Sequence, residues 1–258
     1  MVSYGRGRLE DGINGENGGR PAVAAAFGNN RSLIFETIQS GRQECFSFGI
    51  GTPTHMELDA YLEALASARP TPGGGSAATV VAAMGAALIG MVARITGANP
   101  KYAPVVAEAA ALVEESDGLR SRLLAARIRD EAAYGGVVAA QQLPRHDDTQ
   151  RALRTAAIQQ SLADAAAAPL DAAELALGVL RLAERAVAMS NPHLASDLAC
   201  AAEFAVAGLA ASAHNVRTNH AYLREAELVA EQSARLSAFE REAEARLQAV
   251  RRDAAPNR

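Results

Sequence analysis

Arg69-Pro70-Thr71-Pro72-Gly73-Gly74-Gly75-Ser76 is the stretch from which the fold is read, because it separates a short amphipathic segment from a long, mostly apolar run. Proline holds φ near one value and disfavours helix in the residue before it, so the chain is expected to stay extended as far as Pro72. Glycine tolerates positive φ and lets another group come close to the bare backbone. Serine is a favoured N-cap, and Ser76 is predicted to cap the helix that follows. The first N–H groups of a helix have no intrahelical partner, so this start offers a place for a carboxylate, a phosphate or a developing negative charge. A tight loop between two packed helices would read the same way.

Before the glycines, Leu58, Tyr61, Leu62 and Leu65 recur at i, i+3, i+4 and i+7, which is one face of a short helix ended by Pro70. After them, residues 76–96 are apolar almost all the way round, the pattern of a central helix packed among others. Gly97-Ala98-Asn99-Pro100 stops it. Further helices are predicted over 103–142, over 147–190 with a kink or interruption at Pro169, over 194–222 and over 225–252. The last is rich in Glu and Arg, as a solvated outer face requires. Residues 1–55 carry no sustained period and are expected to form a disordered or loosely packed extension, which places the domain at 56–258. Met56 is the expected start of translation, so a chain beginning there should keep full activity and melting temperature.

The chain has 258 residues, 49% of them hydrophobic and 4% aromatic. Apolar content drawn mainly from Ala, Leu and Val favours close-packed helices over a sheet. The expected class is therefore all-α, an up-and-down bundle of long helices with a central apolar helix. A net charge of −4 gives no electrostatic reason to bind nucleic acid or an anionic membrane, and the longest apolar run is broken by Arg94 and several glycines. A cytosolic small-molecule enzyme or an assembly protein fits this composition. Cys45 and Cys200 make neither a disulfide framework nor a zinc spacing, and Cys200 is expected in the core. The histidines lack the His-Glu-x-x-His and paired Glu-x-x-His spacings, so no metal site is expected, and the phosphate-binding glycine motifs of nucleotide enzymes are absent.

Few residues remain to carry chemistry. Lys101 is the single lysine, and a lysine differs from arginine in being a compact donor whose proton affinity falls on burial. Leu112, Leu119, Leu123, Asp130 and Val137 fall on one stripe, which puts a carboxylate on an apolar face where its pKa shifts toward values useful for proton transfer. Tyr134 shares that face one turn later, suited to holding a water or a substrate nitrogen with Asp130, although an ion pair with Arg127 accounts for the carboxylate equally well. Asp197 sits near a helix start, which stabilises an anion. Asn215 and Asn219, at i, i+4, can read the amide-like edges of a ring or satisfy neighbouring backbone. Asp197 and Asn215 share a face but lie roughly 27 Å apart along the axis. Either the ligand is long, or one of them is structural, or they serve different sites in an oligomer.

The order of these motifs resembles the cyclodeaminase/cyclohydrolase family, which comprises the C-terminal domain of formiminotransferase-cyclodeaminase and stand-alone methenyltetrahydrofolate cyclohydrolases. The resemblance rests on Tyr61 to Ala66, Pro70 to Ser76, Lys101-Tyr102, Asp130, Ala133-Tyr134, Leu143-Pro144, Ala168-Pro169-Leu170, Asn191-Pro192, Ala195-Ser196-Asp197 and Asn215-Val216-Arg217-x-Asn219, from about Met56 to the final helix. It implies an all-helical fold, a homodimer or higher homo-oligomer, a cytoplasmic location, and action on one-carbon units of tetrahydrofolate, the substrate, with no permanently bound cofactor. The expected reaction is hydrolysis of 5,10-methenyltetrahydrofolate to 10-formyltetrahydrofolate, favoured because no formiminotransferase domain is present to deliver a formimino substrate. The alternatives are formimidoyltetrahydrofolate cyclodeaminase, releasing ammonia, and an inactive helical scaffold, which would show no folate-dependent stabilisation. The expected catalytic group is Asp130 oriented by Tyr134, with Lys101 orienting water or stabilising charge. Gly73, Gly74, Gly75 and Ser76 are expected to bind substrate through backbone N–H groups, and Asp197, Asn215 and Asn219 to hold polar edges of the pterin or its tail.

Overall fold

The computed structural model describes residues 57–189 and 191–255, so the expectations for residues 1–55 and for Met56 lie outside the described residues. Six α-helices follow one another among the described residues: α1 (Leu58–Ala66), α2 (Gly74–Ala98), α3 (Val106–Gln141), α4 (Asp148–Met189), α5 (Ala195–His220) and α6 (Ala226–Asp253). Short 3-10 turns, Pro100–Val105 and Pro192–Leu194, join α2 to α3 and lead into α5. Each opens with an asparagine whose side chain accepts a backbone N–H, Asn99 from Lys101 and Asn191 from His193. The start of α4 is held by Asp147, whose carboxylate accepts the N–H of Gln150 at 2.7 Å.

Helices α2 to α5 make an antiparallel up-and-down bundle. The pairs that set its direction are Gly97 with Ala109 and Gly75 with Asp130 between α2 and α3, and Gly74 with Asn215 and Gly85 with Ala201 between α2 and α5. Between α3 and α4 the same sense is set by Arg154 on the Gln141 carbonyl and by Arg185 on Glu108 and Glu115. The core fills with Ile89, Leu112, Leu123, Leu170, Leu177, Leu180, Leu198 and Val216, each fully buried and each contributing about 1.5–3 kcal/mol by leaving water. Close approach of α2 to α5 requires two glycines. A Cβ at Gly85 would fall 2.7 Å from the Ala201 carbonyl oxygen, and one at Gly208 would fall 2.8 Å from that of Ala78. Helix α6 lies on α4 and α5, burying Leu236, Leu247 and Val250, and its charges are spent on ion pairs such as Arg181 with Glu242 and Arg217 with Glu240.

Three local readings are corrected, and a fourth, the kink or interruption expected at Pro169, is narrowed. Gly73, not Ser76, is the N-cap, and Ser76 is two residues inside the helix, fully buried. Helix α4 runs through Pro169 without interruption. Proline removes the N–H that would have bonded the carbonyl of Ala165, four residues back. Asn219 supplies the replacement, donating its amide to that carbonyl at 2.6 Å. Cys200 is exposed, because the face of α5 carrying Leu198, Ala201 and Ala205 is the one turned to the bundle. Arg127 pairs with Glu131 rather than with Asp130.

Helix α2 is buried against α3, α4 and α5 and leaves its remaining side open. Val80, Val81, Met84, Leu88, Met91 and Ile95 line that side, with Met84 51% exposed. By length and composition α2 and the stretch Pro192–His220 are apolar enough to cross a membrane. Both are built into the bundle by the glycine contacts just described.

Candidate active site

The start of α2 is where the fold brings a carboxylate against bare backbone. A Cβ on Gly75 would fall 2.5 Å from Oδ2 and 2.6 Å from the carboxyl carbon of Asp130. No side chain larger than hydrogen fits there without displacing the Asp130 carboxyl. Asp130 reaches this point because it lies on the α3 stripe with Leu112 and Leu123, both of which are buried in the interface. The backbone N–H of Ser76 donates to its carboxylate. The anion site that the glycines were expected to offer a ligand is thus shared with a carboxylate of the protein itself.

Opposing effects set the proton affinity of Asp130. Burial, and after it the negative charge of Glu131, push its pKa up from the usual 3.8, while the Ser76 N–H pulls it down. The positive end of α2 favours the anion as well. Burial prevails, and the carboxyl holds a proton to higher pH than an exposed aspartate. That is the direction required of a group that takes up and returns a proton near neutrality.

Around Ser76 the structure assembles three side chains that sequence reasoning did not assign to the site. The Ser76 hydroxyl lies 3.0 Å from the Tyr61 hydroxyl and donates to Glu131 Oε1 at 2.9 Å. Arg127 donates to the same oxygen at 3.4 Å and its guanidinium stands 5.6 Å from the centre of the Tyr61 ring. Burial pushes the Tyr61 phenol up, against the hydrogen bond to Ser76. In the sequence Tyr61 has its place on an apolar face and in the Tyr61 to Ala66 motif, without a role of its own. A phenol on such a face, followed by a buried serine, is the signal that could have marked it.

The remaining expected residues divide between two ends of the bundle. Gly73, Gly74, Gly75, Ser76, Asp130 and Asn215 are together: a Cβ on Gly74 would lie 3.8 Å from Nδ2 of Asn215. Asn215 donates to the Ala211 carbonyl and is half-buried, with its amide oxygen 4.0 Å from the same point. Tyr134 follows Asp130 by one turn of α3 and is half-buried. Asn219 has the structural duty at Ala165 already described. Lys101 is exposed in the 3-10 turn beyond the far end of α2, whose 25 residues span about 37 Å. Asp197, half-buried in the first turn of α5, lies toward that same end. One chain therefore does not bring Lys101 to Asp130.

Comparison with known proteins gives the family to which these helices belong. The chain is 39% identical over 162 residues to a methenyltetrahydrofolate cyclohydrolase of Methylorubrum extorquens, covering 63% of this chain and 78% of that protein. It is 29% identical over 162 residues to a formimidoyltransferase-cyclodeaminase of Rattus norvegicus, of which it spans 30%, and the match covers 63% of this chain. The crystal structure of formiminotetrahydrofolate cyclodeaminase from Thermotoga maritima superimposes with a TM-score of 0.71 at 26% identity, over 78% of this chain and 97% of that one. The sequence pattern of the formiminotransferase-cyclodeaminase family matches residues 57–238, from the start of α1 into α6 and across every helix that contributes to the glycine and aspartate site, so the chain belongs to that family.

Proposed function

We propose that this protein is a methenyltetrahydrofolate cyclohydrolase that uses Asp130 to move protons. The observation that carries the choice is the 39% identity to the Methylorubrum cyclohydrolase, against 26–29% to the cyclodeaminases. In this reading water adds to the electrophilic carbon between N5 and N10 while the Asp130 carboxylate takes one of its protons. The carbon becomes tetrahedral. The C–N5 bond then breaks, Asp130 returns the proton to N5, and the remaining hydroxyl proton leaves to solvent as the formyl C=O forms. The start of α2 lies beside Asp130, and the Asn215 amide lies beside Gly74, where they can hold polar edges of the pterin. The one-carbon carrier is the substrate, and the steps written here call for no resident cofactor.

The second reading, formimidoyltetrahydrofolate cyclodeaminase, is favoured by the likeness to the Thermotoga structure. There N10 attacks the formimino carbon on N5 and ammonia leaves, again through a tetrahedral carbon that Asp130 can serve. Presenting both folates to the purified protein and following methenyl absorbance separates the two. Disappearance of methenyltetrahydrofolate supports the hydrolase; formation of it with release of ammonia supports the deaminase.

The working form in this proposal is a homodimer. The open side of α2 is an apolar stripe, and Leu124 and Ile128 of α3 are exposed as well. Two copies of the chain packed on this side would cover that stripe. An antiparallel pairing of the two α2 helices would bring the Lys101 end of one copy toward the Gly74 end of the other. An apolar face occupied in this way, with α2 and α5 both anchored in the bundle, suits a cytoplasmic enzyme.

A further inference from the structure

We propose that Glu131 and Tyr61 are positioning residues for this reaction: hydrogen bonds from Tyr61 through the Ser76 hydroxyl to Glu131, closed by Arg127 over the Tyr61 ring, fix the Asp130 carboxyl at the start of α2 and keep a negative charge beside it. The inference rests on the reading of Asp130 as the proton-transfer group.

The direction of the chain follows from proton counting. The Ser76 hydroxyl has one proton and gives it to Glu131 Oε1 at 2.9 Å, so the Tyr61 hydroxyl must be the donor in the 3.0 Å contact with Ser76. Ser76 is 0% exposed, and its main chain and side chain serve different carboxylates. Its N–H holds Asp130 while its hydroxyl holds the next residue along α3. Neighbouring residues on a helix point about 100° apart, so two successive carboxyls can meet one residue only if it offers two separate donors. Ser76 offers them, and this locks the register of α2 against α3 at the point where Gly75 leaves room for Asp130. Tyr61 ties α1 to the same residue, and Arg127 braces both ends of the chain.

The charged and titratable groups around Asp130 among the described residues are Tyr61 on α1 and Arg127, Glu131 and Tyr134 on α3. Helix α2 brings only backbone donors there and α5 the neutral amide of Asn215. Glu131 is thus the negative charge that acts on Asp130. Two adjacent carboxyls in different surroundings divide the work, one accepting fixed donors and the other left to exchange its proton.

Three variants of the full chain test this. Glu131→Gln keeps an acceptor for Ser76 and removes the charge, so the acid limb of the kcat/KM profile should move to lower pH by about half a unit or more. Glu131→Asp keeps the charge but shortens the reach, so the limb should stay in place while kcat falls. Tyr61→Phe keeps the ring under Arg127 and removes the donor, and should lower kcat roughly fivefold to tenfold with little change in KM. The ionisation of Asp130 followed by carbon NMR of its carboxyl should show the same downward move in Glu131→Gln whether or not folate is turned over. Failure of the folate reaction in the unaltered protein therefore stays distinct from failure of this inference. An Asp130 titration unmoved in Glu131→Gln, or a Tyr61→Phe that lowers melting temperature and leaves kcat unchanged, would overturn it.

Discussion

The carboxyl of Asp130 occupies the space that any side chain at position 75 would need, and the absence of a Cβ at Gly75 is what allows α3 to bring that carboxyl to the start of α2. The three-glycine turn is explained at this position by contact, not by backbone conformation.

Gly75→Ala is expected to push Asp130 out of place. Overpacking of this kind destabilises by about 1–3 kcal/mol. A displacement near 1 Å at a reacting group lowers turnover roughly a hundredfold. Gly118→Ala is the control, since an added Cβ there meets nothing within 4 Å. Melting temperature and kcat of the two variants, measured side by side, check this.

Asp130→Asn is expected to lower kcat by about 10²–10⁴-fold while the protein stays folded. It also reports on linkage. The folded carboxyl binds its proton more tightly than the unfolded one, so its contribution to stability is present below pH 3.8 and is lost as pH rises through the raised folded value. Unfolding of the native protein and of Asp130→Asn in urea across pH 4 to 8 should show the variant gaining on the native protein as pH increases. A difference that shrinks with rising pH would contradict the sign.

Asn219→Ala should destabilise the bundle by about 1–3 kcal/mol, because the Ala165 carbonyl loses its donor in a buried setting, and should leave kcat nearly unchanged. In a Pro169→Ala background the helix regains the N–H for that carbonyl, so the same substitution should be milder. The coupling energy from a double-mutant cycle is the measurement that decides.

Lys101→Met and Asp130→Asn, each expected to be inactive, should recover activity when unfolded together and refolded as a mixture. If the partner subunit's Lys101 completes each site, half of the random dimers carry one intact site, and about a quarter of native activity returns. No recovery, with mixed dimers demonstrated by native mass spectrometry, would show that the two residues do not share a site.

Much of the fold was legible because its causes are local. Leu58, Tyr61, Leu62 and Leu65 have helical spacing, and Pro100 and Pro144 stop helices wherever they stand, so the predicted segments agree with α1 to α6 to within a few residues. The exceptions have tertiary causes. Pro169 is tolerated because Asn219 arrives from another helix, and Ser76 gives up capping because Tyr61 and Glu131 engage its hydroxyl. The site was legible only in part. Asp130 stands out as a carboxylate on an apolar stripe, whereas Glu131, one residue on, lies off that stripe and nothing in the helical period marks it.

Periodicity, composition and the placement of proline and glycine were enough to establish an all-helical bundle, the importance of the glycine turn and the singularity of Asp130 and Lys101. Each is a property of a few neighbouring residues and survives without knowing how the helices pack. Tertiary structure alone decided that Asp130 fills the place of a Gly75 side chain, that Asn219 mends the helix at Pro169, and that α2 holds Lys101 a helix length away from the carboxylate it was expected to join. Those are relations between residues many turns apart, and they exist only once burial of the shared stripes has set the register of one helix against another.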